Sequence, residues 1–185
     1  FAEAADAWAQ VRTLMPAHPG AAENVTEMRA KAKSAEAAPF VAQGRKAREE
    51  YVALSKDAQD RRAEAERLDQ EIPHYEGGEK KLPLWRAQSA ADQAGDDAVL
   101  RQADIVVAFL SALGVDPGNR DAKAELASLY YGEYEEAEKR GDARQRRAKE
   151  KMVRLFGEET YGPRLAREGT LELDTNPSGA EVELL

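Results

Sequence analysis

From Phe40 onward the apolar positions recur in alternating steps of four and three: Phe40, Gly44, Ala47, Tyr51, Leu54, Ala58, Arg61, Ala65, Leu68 and Ile72. That spacing is a heptad stripe, the mark of a long helix lying against another helix. Gly44 offers no side chain to the seam, and Arg61 has to lead its charge out along an aliphatic stem. A helix of about 33 residues would run roughly 50 Å, too long for a small core to stabilise alone. A partner follows the break PHYEGGEKKLP, where Pro73, Gly77, Gly78 and Pro83 predict a reversing loop over 73–83. Beyond it Val99, Ala103, Val106, Leu110 and Leu113 repeat the stepping, with Trp85, Ala91 and Ala94 or Ala98 extending the stripe toward the loop. The simplest packing of 39–116 is a long antiparallel helical hairpin, and an intermolecular coiled coil is the alternative.

On either side the pattern stays helical but shortens. Within 1–38, Ala4, Trp8, Val11 and Leu14 or Met15 predict one amphipathic helix, broken by Pro16 and by Pro19-Gly20. A second helix carries Val25, Met28 and Ala32 up to a boundary at Pro39. After the hairpin, ALGVDPGNRDA supplies Gly114 as a C-terminal cap, Pro117 as a stop, and Asn119 or Asp121 as acceptor for the next helix's free N–H groups. A helix pair is expected over 117–160, divided at Gly141-Asp142. Its first member turns Leu126, Leu129 or Tyr130, Glu133 or Tyr134, and Ala137 to one side. Its second is marked by Ala148, Met152 and Leu155 or Phe156. Residues 161–168 read as a charged linker.

Over 169–185 the period changes to two. Leu171 and Leu173, then Val182 and Leu184, alternate with polar residues around Asn176-Pro177-Ser178-Gly179, which predicts a β-hairpin. The expected fold is therefore mainly α with a short C-terminal β-hairpin. A lone hairpin has no second layer to cover its apolar face, so further β structure is expected beyond it, and the sequence reads as part of a longer protein.

Composition sharpens this picture. The 35 alanines outnumber the 32 residues of Leu, Ile, Val and Phe combined, and 34% of the chain is charged. Alanine is the best helix former and buries little area, so the expectation is long helices joined by narrow seams. With 27 Lys and Arg against 35 Asp and Glu, a polyanion such as nucleic acid is disfavoured as a partner. The absence of cysteine removes disulfides, thiolate metal sites and cysteine nucleophiles. No apolar run approaches the ~18 residues of a membrane span, so direct insertion by this segment is not expected.

Candidate chemistry is sparse. His18 and His74 stand beside prolines in loops, with no second ligand at a metal spacing. Pairs such as Glu49-Glu50 and Glu135-Glu136 read as exposed helix charge, because catalysis needs a carboxyl in a closed apolar pocket. The basic run from Arg144 to Lys151 reads as the wet face of a helix. No enzyme activity, metal or cofactor is expected of this segment. The tyrosines Tyr130, Tyr131 and Tyr134 are the candidate partner surface, the alternative being that all three pack within the bundle or against the β domain: Tyr130 and Tyr134 share a face at i and i+4 while Tyr131 points elsewhere. A protein partner or self-association is the expected kind of interaction.

Two stretches carry family resemblances. The run Ala112-Leu113-Gly114-Val115-Asp116-Pro117-Gly118-Asn119, followed by LASLYYGEYEEAEKRGDA, resembles the joint between tetratricopeptide repeats over roughly 103–156. The likeness implies a helix pair that presents aromatic rings to a partner. The pattern G-x-L-x-L-x-T-x-P-x-G-A-x-V-x-L, with Pro177, Ser178, Gly179 and Ala180 at the turn, resembles the opening of a PEGA domain. Alanine-rich hairpin, repeat-like helices and PEGA in this order resemble the region after the kinase domain of bacterial serine/threonine protein kinases. The resemblance implies a scaffold or sensory region of an ATP-dependent transferase, sited outside the cytoplasm beyond a membrane anchor or, alternatively, within it. No Gly-rich loop, H-R-D or D-F-G is present, so kinase activity is carried by no residue here. The alternative function is a purely structural spacer or dimerising coiled coil.

Overall fold

The computed structural model describes residues 1–73 and 75–166, and over that range the protein is mainly helical. Five helices follow in order among the described residues: α1 (Ala2–Leu14), α2 (Ala21–Glu71), α3 (Gly78–Val115), α4 (Arg120–Lys139) and α5 (Ala143–Leu165). The β-hairpin expected over 169–185 lies outside the described residues, as does His74.

α2 is one helix of 51 residues, about 75 Å of axis. It runs straight through Pro39, where the sequence predicted a boundary. Proline removes the hydrogen bond to the carbonyl four residues earlier, and that residue, Ala35, is exposed, so water can take the carbonyl over. The same holds for Pro83, inside α3, and Pro163, inside α5, whose i−4 residues Glu79 and Glu159 are exposed. The reversing loop therefore ends at Gly77 rather than at 83. The expected linker 161–168 is helical as far as Leu165.

α2 and α3 form the most extensive helix pairing. Position 44 of α2 faces Phe109, Glu50 pairs with Arg101, and Arg62 reaches Gly95, so the two run antiparallel. On α2 the residues turned inward are those of the heptad stripe: Gly44, Ala47, Ala58 and Ala65 are buried, and Tyr51, Leu54, Leu68 and Ile72 are half-buried. Arg61 stays exposed and pairs with Asp57 one turn away.

On α3 the expected stripe is kept at Ala91, Ala94 and Ala98, with Val106 and Leu113 half-buried, and is departed from elsewhere, Trp85 being exposed. Val99, Ala103 and Leu110 are exposed, while Leu84, Ala91, Ala94, Ala98, Ile105, Ala108 and Ala112 are buried. With half-buried Ala87 and Arg101 these also step by three and four. Between 98 and 115 apolar residues surround the helix, so hydropathy does not select a face. Close approach does, because the alanines of α3 fit the small residues of α2 and gain dispersion contacts along the seam.

The larger side chains collect at one end. Phe109, Ile105, Leu126 and Val153 are fully buried there, with half-buried Val106, Leu113, Met152, Phe156 and Leu165 around them. Residues of α3, α4 and α5 share this core with Ala37, Val41 and Ala47 of α2. α3 runs past Gly114, the expected cap, to Val115. α4 starts where Asn119 Oδ1 accepts the Ala122 N–H at 3.0 Å. Asp116 Oδ1 accepts the Gly118 N–H at 3.1 Å, which tightens the turn between them. Gly141, at φ +70°, closes α4 in a conformation that side chains resist, and Asp142 caps α5 through the Gln145 N–H at 2.9 Å.

α3 also contains an 18-residue window of mean hydropathy 1.7, long and apolar enough by length and composition to cross a membrane. Arg101 and Asp104 interrupt the apolar residues there, which is why the sequence shows no continuous run of that length. Arg101 lies 3.0 Å from Glu50 of α2 and 2.8 Å from Asp104.

Candidate functional site

α4 turns its three neighbouring tyrosines to two sides. Tyr130, 9% exposed, joins the core and stacks on Phe156 of α5 with ring centroids 6.0 Å apart. The Lys149 ammonium stands 5.5 Å from the centre of the Tyr130 ring. Burial pushes the Tyr130 hydroxyl pKa up, and the negative charge of Glu133 adds to the shift.

Tyr131 and Tyr134 go the other way, stacked on each other at 6.0 Å. The pairing expected at i and i+4 is replaced by one at i and i+3, since Tyr130 is drawn inward by Phe156. The Tyr134 hydroxyl donates to Glu138 Oε1 at 3.4 Å, and partial burial followed by the charge of Glu138 raises its pKa.

A third ring, from α5, completes this stack. Tyr161 stacks on Tyr131 at 4.6 Å, and the Arg164 guanidinium lies 5.9 Å from the Tyr131 ring centre and 5.6 Å from that of Tyr161. The approach depends on Gly157, whose backbone departs from helical angles and bends α5. A Cβ there would fall 2.5 Å from Ala127 Cβ, so only glycine lets α5 close on α4 at this point. Sequence reading missed Tyr161 and Arg164 by assigning them to a linker. Their spacing of three, with Leu165 one turn beyond Tyr161, was the available signal of helix.

A groove of about 560 Å³ opens beside α4, lined among others by Arg48, Tyr51, Gln102, Gly132, Glu133 and Lys149. Its central charges are paired with each other: Lys149 Nζ lies 2.5 Å from Glu133, which also accepts from the Gln102 amide. Arg48 donates to Glu125 and to Ser128 Oγ, the latter at 2.9 Å. Arg45 donates to Asp121 at 2.8 Å and to Glu125 at 3.4 Å, tying α2 to the start of α4. Asp121, an alternative cap in the sequence reading, serves this tie instead.

The remaining sequence candidates are dispersed. His18 stands against Trp8, ring centroids 5.9 Å apart, under the α1–α2 turn. Glu49 and Glu135 are exposed, and Glu50 and Glu136 pair with Arg101 and Arg140. Glu64 is held below the usual carboxylate range by its hydrogen bonds from Arg67, the opposite of what a general acid requires. In the basic run, Arg146 faces Glu138 at 3.9 Å and Lys149 faces Glu133, while Arg144, Arg147 and Lys151 are exposed. Among the described residues no group of three or more His, Asp or Glu side chains is placed to hold a metal ion.

Compared with other proteins, the chain matches no family model, no curated protein and no solved structure.

Proposed function

We propose that this chain is a non-catalytic helical scaffold that binds a protein partner through the Tyr131–Tyr134–Tyr161 cluster, as part of a bacterial serine/threonine protein kinase. One observation carries the reading: three rings from two helices are stacked into a pre-ordered, half-buried surface beside Arg164. Rigid aromatic side chains give large contact area at small entropic cost, which suits them to recognition. The Asp116-Pro117-Gly118-Asn119 joint and the antiparallel α4–α5 pair support the likeness to tetratricopeptide units. The parentage rests on the order of segments in the sequence.

A photo-crosslinking residue placed at 134 in the intact protein, in its own cells, tests the surface. A crosslinked protein that disappears in an Arg164→Glu variant of unchanged helicity supports the reading. An intact protein that forms no adduct, or one indifferent to Arg164→Glu, rejects the surface. The gene upstream of Phe1 tests the parentage, since the reading requires a kinase domain there.

A further inference from the structure

The outward face of α3 repeats a heptad that nothing in the described chain covers. Leu100, Ala103, Val107 and Leu110 step by three, four and three, diametrically opposite the buried Ala98, Ile105, Ala108 and Ala112. Leu100 is 67% exposed, Val107 63% and Leu110 46%, with Val99 beside them at 64%. Single exposed apolar residues need no explanation, but a contiguous strip over three turns marks an interaction surface.

We propose that a second copy of this chain docks on this strip, α3 against α3 and antiparallel, independently of the tyrosine cluster. The order of sizes is the first reason. Leu, Ala, Val and Leu read nearly the same from either end, so an antiparallel pair sets Leu100 against Leu110 of the second copy and Ala103 against its Val107. Such a contact is isologous and closes after two copies. Area is the second: the exposed Val99, Leu100, Val107 and Leu110 of two copies, with their rims, come to about 1,000 Å², the lower bound for specific association and the class of a reversible dimer.

A membrane surface is the other destination for an apolar helix face. Helices that lie on bilayers carry Lys and Arg beside the apolar face. Here Asp92, Asp96, Asp97 and Asp104 occupy those flanks, and they repel anionic headgroups.

Sedimentation velocity on the full chain over a wide concentration range gives the first test. The expected result is a monomer–dimer equilibrium that Val107→Glu shifts to monomer with unchanged circular dichroism. Because the chain has no cysteine, register is tested separately: chains carrying Ala103→Cys mixed with chains carrying Val107→Cys form the mixed disulfide faster than either homodimeric one. A concentration-independent monomer, a dimer that survives Val107→Glu, or preferential crosslinking of 103 to 103 overturns the proposal. So does flotation with phosphatidylcholine–phosphatidylglycerol vesicles that Val107→Glu abolishes, which assigns the strip to lipid.

Discussion

Gly44 of α2 and Phe109 of α3 meet in the seam of the long helix pair: a Cβ on Gly44 would lie 2.8 Å from two ring carbons of Phe109. The ring is fully buried and has no free direction in which to yield. Gly44→Ala gains about 1 kcal/mol of helix propensity but overpacks the core at a cost of roughly 1–3 kcal/mol. The expected outcome in urea denaturation is a net loss of about 1 kcal/mol. In a Phe109→Leu background the same substitution becomes neutral or stabilising. A stabilising Gly44→Ala in the otherwise native chain contradicts the geometry.

Arg48 and Glu125 join α2 to α4 through a charge-assisted hydrogen bond at a half-buried position. Exposed ion pairs contribute less than about 1 kcal/mol and buried, hydrogen-bonded ones more. A double-mutant cycle with Arg48→Ala and Glu125→Ala is expected to give a coupling of about 1 kcal/mol that shrinks in concentrated salt. A coupling indistinguishable from zero at low salt would show that the tie holds nothing.

Tyr130 makes the bundle sensitive to alkali. Its folded-state pKa is raised, chiefly by burial, above the ~10 of an unfolded tyrosine. Below that value both states keep the proton and stability is unaffected. Above it the unfolded chain ionises first, and stability falls as pH rises toward the folded pKa. Tyr130→Phe is expected to move the onset of alkaline unfolding, followed by circular dichroism, to higher pH. Lysine titration affects both proteins alike, so an identical onset in the two would exclude the effect.

The hairpin should open from its loop end. Between Ala58 and Ala98 the buried residues of α2 and α3 are alanines apart from Leu84, whereas Ile105, Phe109 and Leu126 anchor the other end. Local stability follows buried apolar contact. Amide hydrogens around Ala65 and Ala91 are expected to exchange at least tenfold faster than those around Ile105 and Leu126. Uniform protection along α3 would mean that the alanine seam is as strong as the core.

The helical character and the inward face of α2 were legible because charged residues surround the stripe from Phe40 to Ile72 and leave one face to bury. α3 resisted for the opposite reason: from Ala98 to Val115 apolar residues lie all round, and fit to Gly44 and the alanines of α2 decides which way they turn. Pro39 and Pro83 sit inside helices, not at their ends, because the carbonyls they free, at exposed Ala35 and Glu79, can accept from water instead. At the candidate site, position alone found Tyr130, Tyr131 and Tyr134. Their division between two sides depended on Phe156 and Tyr161, which the bend at Gly157 delivers from another helix.

The unbroken course of α2 from Ala21 to Glu71 makes one rod common to α1, to α3 and, through Arg45 and Arg48, to α4. A helix resists compression and twist far better than the loops that join it to its neighbours. A displacement of α1 and one of α3 therefore bear on the same continuous helix.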